Sequence, residues 1–222
     1  MQTLTDKLDS EALDFFEASL LAAMTNIAPA GVHLGCSIIR SDDDQRLLPE
    51  ERFAVTTRNP QARRASGAAR HLARGLLEDI GYPGAIIGRE KTGRPIWPAG
   101  IIGSLAHDDV VAVAAVSTNR AISAIGIDVE PATPLPDDLS SLVLKPNDDP
   151  GTIDQHLAGR VIFASKEAVF KATCSLDGVL LEHDDITVNL ATSCAWTRTG
   201  HVIGLRWCLS PRIVVLAIPS KS

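Results

Sequence analysis

A chain of 222 residues with 45% hydrophobic content is long enough for one large domain or two small ones and can bury a sizeable core, which excludes wholesale disorder. Its net charge of −6 argues against a general nucleic-acid binder, while leaving room for local basic clusters that hold a small anion. Cys36, Cys174, Cys194 and Cys208 show neither C-x-x-C nor zinc spacing, which is the pattern of reduced thiols in a cytoplasmic protein.

Residues 1–28 read as an amphipathic helix, with Leu8, Ala12, Phe15, Phe16, Leu20 and Ala23 near helical spacing. Its apolar patch, Ala18–Met24, follows Glu11, Asp14 and Glu17 rather than the basic lead of a secretory signal. No run approaches the roughly 18 apolar residues of a membrane span, so no membrane partner is expected. Residues 31–40 read as a strand, and Asp42-Asp43-Asp44 as a solvated turn rather than a metal site.

The strongest helix runs from Ala62 to Ile80, closed by Gly81 and Pro83. At about 100° per residue, Arg63, Arg70 and Arg74 share one stripe, and Ala65, Ala69, Leu72, Leu76 and Ile80 lie opposite. The stripe reads either as an ordinary solvated face or as an anion site, since guanidinium forks match phosphate. Gly88–Pro98 is a loop carrying Arg89, Lys91 and Arg94, with Trp97 as its anchor in the core. Ser104 and His107 precede a strand over residues 110–117. Thr118-Asn119-Arg120 is expected to turn that strand into a hairpin with the run from Ala124. The Ser/His pair lacks the G-x-S-x-G elbow of a hydrolase, and His107 reads equally as a core residue.

Ala124-Ile-Gly-Ile-Asp128-Val-Glu130 is the organising stretch. In a strand, Asp128 and Glu130 point the same way. They read either as solvated acids or as hard oxygen ligands for Mg²⁺, which takes one or two carboxylates together with phosphates and water. A Pro- and Asp-rich linker follows from Pro131 to Gly151, with a short helix over residues 138–144. An interrupted helix is expected over residues 153–180. On it Glu167 and Lys171 are four apart, as a surface ion pair or as partly enclosed charges. Three strands close the chain at 186–190, 202–209 and 212–218, with Trp196 and Trp207 in the core. His33, His71, His156, His183 and His201 show no ligand grouping and receive no role. Helix-plus-strand material thus occurs twice, giving an α+β protein with an N-terminal half, 1–118, and a C-terminal half, 119–222.

Three segments occur in one order: GRPIWPAGIIGSLAH, GIDVE and FASKEAVFKA. Together they resemble the Sfp/EntD-type 4′-phosphopantetheinyl transferases, closest to the EntD-like, siderophore-associated branch. The Arg70–Arg74 pair resembles that branch's G-R-x-x-A-R helix, with Ala69 in the place of its glycine. The resemblance implies two pseudo-twofold α/β halves, as a monomer, and a Mg²⁺-dependent transfer of phosphopantetheine from coenzyme A to a serine of an apo acyl, aryl or peptidyl carrier protein. It implies siderophore or other nonribosomal peptide or polyketide biosynthesis as the setting. By the same resemblance Asp128, Glu130 and Glu167 hold the metal, and Glu167 acts as general base, ligand or both. Lys166 and Lys171 contact phosphate; His107 does so with Ser104 in support. Arg63, Arg70 and Arg89 hold the 3′-phosphate and adenine end, with Lys91 and Arg74 as further cations. The rival readings are a Mg²⁺-dependent nucleotide pyrophosphatase and a coenzyme A-binding sensor.

Overall fold

The computed structural model describes residues 4–220, with side chains from Glu11 onward. Helix α1 spans Leu4–Ile27 and buries Leu20, Met24 and Ile27, a stripe at i, i+4 and i+7. The expected face is rotated: Phe15 is 75% exposed, while Phe16 packs against the core. Leu8 lies outside the described side chains. The reason is that α1 lies over both sheets, against the strand at His33–Ile38 of one and those at Val202–Cys208 and Arg212–Pro219 of the other, and the stripe from Phe16 to Ile27 fills that contact.

The first sheet is antiparallel in the order β1-β5-β4, with β1 at His33–Ile38, β4 at Ile102–His107 and β5 at Val111–Ser117. Every residue of β5 is buried, because the strand is central and covered on both faces. Its residues alternate: Val111, Val113 and Ala115 join the core under α1, and Ala112, Ala114 and Val116 face helix α3, Pro60–Asp79. Asn59 caps α3 by accepting from the Gln61 and Ala62 N–H groups. Ala65, Ala68, Ala69 and Ala73 let α3 lie close to the strands. The aspartate turn is not simply solvated. Asp43 opens a 3₁₀ turn, Asp43–Arg46, is itself buried, and accepts from the Arg40 N–H at 2.6 Å. A Cβ at Gly67 would strike the Asp43 carbonyl, so α3 and this turn meet where only glycine fits.

The second sheet is antiparallel in the order β6-β10-β9-β8-β7, formed by Gly126–Pro131, Arg212–Pro219, Val202–Cys208, Cys194–Thr197 and Ile186–Asn189. Helix α5, Gln155–Asp177, runs without interruption over one face, ending on Gly178 in the left-handed region at φ 72°. Ile213, Val215 and Ala217 of β10 pack toward α5, and Val214 and Leu216 join the core shared with the first sheet. The expected 110–117 and 124–130 hairpin does not form. Both edges of β5 are taken by β1 and β4, so the chain crosses over and β6 pairs with β10. The Ser104 hydroxyl on β4 accepts from the Ile127 N–H at 3.1 Å and ties the sheets together. Trp207 packs against the core, but Trp196 is 42% exposed on the outer face opposite Val202.

Strand β4 was not expected: Ser104 and His107, read as preceding the strand at 110–117, lie within a strand of their own that pairs with it. Nor were two short elements without an apolar period, α2 at Pro49–Ala54 and strand β8. The loop after α3 holds a two-stranded ribbon of β2, Gly88–Arg89, and β3, Pro95–Ile96. The linker helix α4 spans Asp137–Val143, close to its expected place. No helix among the described residues is long and apolar enough to cross a membrane.

Gly126 sets the separation of β6 and α5, since a Cβ there would run into the Ala168 carbonyl. Gly126→Ala should destabilise the protein by about 3 kcal/mol through overpacking. Gly75→Ala, on an open face of α3 with no atom within 4 Å of the added carbon, should instead stabilise by roughly 0.5–1 kcal/mol. Urea denaturation of both variants checks the contrast.

Candidate active site

In β6, Ile127 and Val129 point into the core shared with the first sheet. Asp128 and Glu130 therefore face α5 together, as the period of a strand requires. The close approach at Gly126 brings Lys171 of α5 to Asp128, with Nζ to Oδ1 at 2.6 Å and a second bond to the Ile127 carbonyl at 3.1 Å. Asp128 is buried, and its Oδ2 has no protein partner. Burial pushes the Asp128 pKa up; Lys171 opposes this, and the charge of Glu167 adds to it. Glu130 is pushed up to about 7, by burial first and then by Asp128, against the pull of Arg160.

Glu167 and Lys171 share a face of α5 but do not pair with each other. Lys171 turns to Asp128, and Glu167 meets Nε2 of His183 at 3.0 Å. Among the described residues, no three His, Cys, Asp or Glu side chains are gathered into a cluster that would cage a metal ion. Each of the three expected ligands has a basic partner: Lys171 on Asp128, Arg160 on Glu130 at 2.8 Å, and His183 on Glu167.

Sequence reasoning missed two of those partners. Arg160 lies seven residues before Glu167, two helical turns away on the same face, so the helical period alone pointed to it. Its Nη2 also donates to the Pro134 carbonyl at 2.8 Å, which ties the linker to α5. His183 sits in a 3₁₀ turn beyond the helix, and only the chain reversal brings it back.

The cations divide into those that meet a cleft and those that do not. Arg89, Arg70 and His107 border one hollow beside Leu105. Arg89 also borders a larger cleft of about 270 Å³, shared with Arg94, Ser104, Phe170, Lys171 and Leu180. Exposed Lys91, on the ribbon tip, borders a third hollow with Arg89 and Phe53. Desolvation lowers the pKa of His107; the Asp108 backbone opposes this, and Lys171 and Arg70 lower it further.

The arginine stripe is not an open face. Arg70 is buried and donates from Nε to the Ile87 carbonyl at 3.0 Å, and Arg74 pairs with Glu51 at 2.5 Å. Arg63 is half-buried and lines none of these three hollows. Lys166 cannot serve as a phosphate contact. It is 0% exposed, and its Nζ is bound to Asp148 at 2.8 Å and to the carbonyls of Val143 and His183. The helical period turns it to the inner side of α5, where a charge must find partners.

Buried Asp128 thus lies on Lys171, with half-buried Glu130 on the same strand face, and Lys171 borders a cleft also lined by Arg89 and Arg94. Such a surface suits a polyanion whose charge is spread along its length. A family model described as the 4′-phosphopantetheinyl transferase N-terminal domain matches residues 50–117. The chain is 38% identical over 149 residues to the 4′-phosphopantetheinyl transferase Npt of Nocardia iowensis, covering 66% of this chain and 67% of that protein. It is 35% identical over 155 residues to the 4′-phosphopantetheinyl transferase PptT of Mycobacterium tuberculosis, covering 68% of each. It is 33% identical over 156 residues to the 4′-phosphopantetheinyl transferase Svp of Streptomyces mobaraensis, covering 65% of this chain and 61% of that protein. Similarity of this extent establishes that the chain belongs to the 4′-phosphopantetheinyl transferase family and is an enzyme of that class.

Proposed function

We propose that this transferase moves phosphopantetheine from coenzyme A to a serine of an apo carrier protein and releases adenosine 3′,5′-bisphosphate. The observation that carries the reading is Asp128: a buried carboxylate on Lys171 with its second oxygen unpartnered, beside a cleft edged by cations. In this reading Arg89, Arg70 and His107 hold the nucleotide phosphates, with Arg63 and Lys91 further out. Lys171 borders the cleft and stabilises charge on the phosphoryl oxygens being transferred. Ser104, committed through its hydroxyl to Ile127, contributes by placing β4 against β6.

The serine oxygen forms a bond to the phosphorus that bears pantetheine, and the phosphorus–oxygen bond to the bisphosphate breaks. The serine proton passes to a carboxylate, for which Glu167 is the candidate, directly or through a water. His183 holds Glu167 in place and leaves it partly exposed, as a proton acceptor must be.

The acidic residues fit a magnesium ion by their chemistry. They offer hard oxygens, one of them buried and unpartnered, and the mutual repulsion of Asp128 and Glu130 is what a divalent cation relieves. Asp128, Glu130 and Glu167 would hold it. A closed cage is not required, because magnesium keeps waters and takes substrate phosphates as ligands. When bound, such an ion neutralises charge on the pyrophosphate and orients it.

The same reading takes residues 1–118 and 119–222 as related halves of a cytoplasmic monomer. The two large sheets, one within each span, support that division. The three motifs favour aryl or peptidyl carriers of siderophore or other nonribosomal peptide assembly over polyketide carriers.

The decisive assay incubates the protein with coenzyme A, Mg²⁺ and apo carriers of several classes. A carrier should gain about 340 Da, the mass of phosphopantetheine added at a serine. Coenzyme A cleavage without any carrier would indicate the pyrophosphatase, and binding without a mass gain the sensor. Chelation should abolish labelling and added Mg²⁺ restore it. Asp128→Asn, which keeps the shape, should lower kcat by about 10²-fold or more with the circular dichroism spectrum unchanged. Lys166→Ala should act on stability instead, costing about 3–5 kcal/mol in thermal melts by leaving the Asp148 charge buried without a cation.

A further inference from the structure

Glu51 lies in the short helix α2, outside every motif used above, and is 0% exposed. Its Oε2 accepts from the Leu48 N–H at 3.0 Å and from Arg74 Nη1 at 2.5 Å. Its Oε1 reaches 36 residues along the chain and accepts from the Ile87 N–H at 3.1 Å. The carbonyl of the same Ile87 accepts from Arg70 Nε at 3.0 Å. Both backbone polar groups of one residue are therefore held by charged side chains, a carboxylate on one side and a guanidinium on the other.

Ile87 is fully buried and directly precedes Gly88–Arg89. Among the described residues that two-residue strand pairs only with Pro95–Ile96, so no wide sheet there fixes its height above α3. A two-residue ladder is too weak to hold a side chain in place by itself. The far end of the ribbon is tied by Arg94, whose Nη1 donates to the Cys174 carbonyl at 3.0 Å, and Arg89 donates from Nε to the Gly93 carbonyl at 3.1 Å. At its start the anchors are the two charge-assisted bonds at Ile87, which are stronger than bonds between neutral groups. Arg74 adds a further tie, donating from Nη2 to the Arg46 carbonyl at 2.7 Å. The ion pair thus links the 3₁₀ turn, α2, α3 and the start of the ribbon that carries Arg89.

We propose that Glu51 is a positioning residue for coenzyme A binding: through the Ile87 N–H it sets the place of β2, and so the reach of Arg89 into the cleft. The proposal rests on the reading of Arg89 as a phosphate contact. Glu51 touches no substrate and takes no part in bond making. Its removal lowers the affinity for coenzyme A and leaves the chemical step unchanged once the site is saturated.

The test measures KM for coenzyme A and kcat in carrier labelling, at saturating apo carrier, for Glu51→Gln, Arg89→Ala and the double variant, with thermal melts alongside. Glu51→Gln should raise KM about tenfold with kcat within about twofold, as expected for loss of an outer support of a binding group. Arg89→Ala should raise KM by a similar factor. Glu51→Gln should add nothing in the Arg89→Ala background, because the two act through one contact. Arg74→Lys, which keeps a cation but loses the fork, serves as the second probe should Glu51→Gln not fold, and should raise KM by a smaller factor. A folded Glu51→Gln or Arg74→Lys with a lowered melting point and an unchanged KM overturns the proposal. So does an equal rise of KM with and without Arg89. If Arg89→Ala alone leaves KM unchanged, it is the phosphate reading of Arg89 that fails, and the positioning proposal falls with it.

Discussion

Everything at the site depends on how closely strand β6 approaches helix α5. Gly126 lets the two backbones meet at Ala168, and this closeness places Lys171 on Asp128 and on the Ile127 carbonyl. An ion pair taken out of water costs desolvation that only good geometry and extra hydrogen bonds offset. Here Lys171 is met by two acceptors, yet one oxygen of Asp128 stays without a partner. The pair is therefore incompletely neutralised, with Glu130 and Glu167 adding negative charge nearby. A buried, incompletely partnered carboxylate of this kind is a common mark of a functional site.

The remaining buried charges do a different job. Lys166 and Asp148 lie at 0% and 2% side-chain exposure and satisfy each other, while Lys166 also holds the Val143 and His183 carbonyls. This fastens the linker and the turn of His183 to α5, and His183 in turn holds Glu167. Arg160 acts in the same way between Glu130 and the linker carbonyls of Thr133 and Pro134. On the other side of the cleft, Glu51, Arg70 and Arg74 fasten the ribbon that carries Arg89. Glu167, Glu130 and Arg89 are thus each held in place by charged residues, of which Glu51 and Lys166 are fully buried and Arg70 also borders the hollow beside Arg89. Charged groups suit this role because their bonds are strong and directional, and because a register error would leave one of them buried and unpaired.

Several features of the fold were legible in the residue order. The helix read at 62–80, the buried strand at 111–117 and the strand bearing Asp128 and Glu130 announce themselves by apolar period and by end signals such as Gly81 and Pro83, while the Asn59-Pro60 start went unread. Because a strand alternates and a helix repeats every 3.6 residues, the shared face of the acidic pair and the face joining Glu167 to Lys171 followed from local geometry alone. Helix α2 and strand β8 did not, since neither carries a period long enough to read. Trp196 looked like core because aromatic residues usually are, but its strand lies near the sheet's edge with its outer face uncovered.

The sequence by itself determined the chemistry on offer: two carboxylates on one strand face, a Lys-Glu-x-x-x-Lys helix, and a loop rich in arginine and lysine. Only the tertiary structure decided which of these groups meet. Neighbouring positions 166 and 167 have nearly opposite fates, one lysine sealed against Asp148 and one glutamate left half-open on His183. Adjacent strands 111–117 and 126–131 joined different sheets, because β5 had no free edge left. Arginines 70 and 74, one turn apart on a seemingly open stripe, became inner supports once α2 and Ile87 closed over them. The physical reason is the same in each case. Period and propensity act over one or two turns of chain, whereas the partner that fixes a charge comes from tens of residues away and is selected by packing.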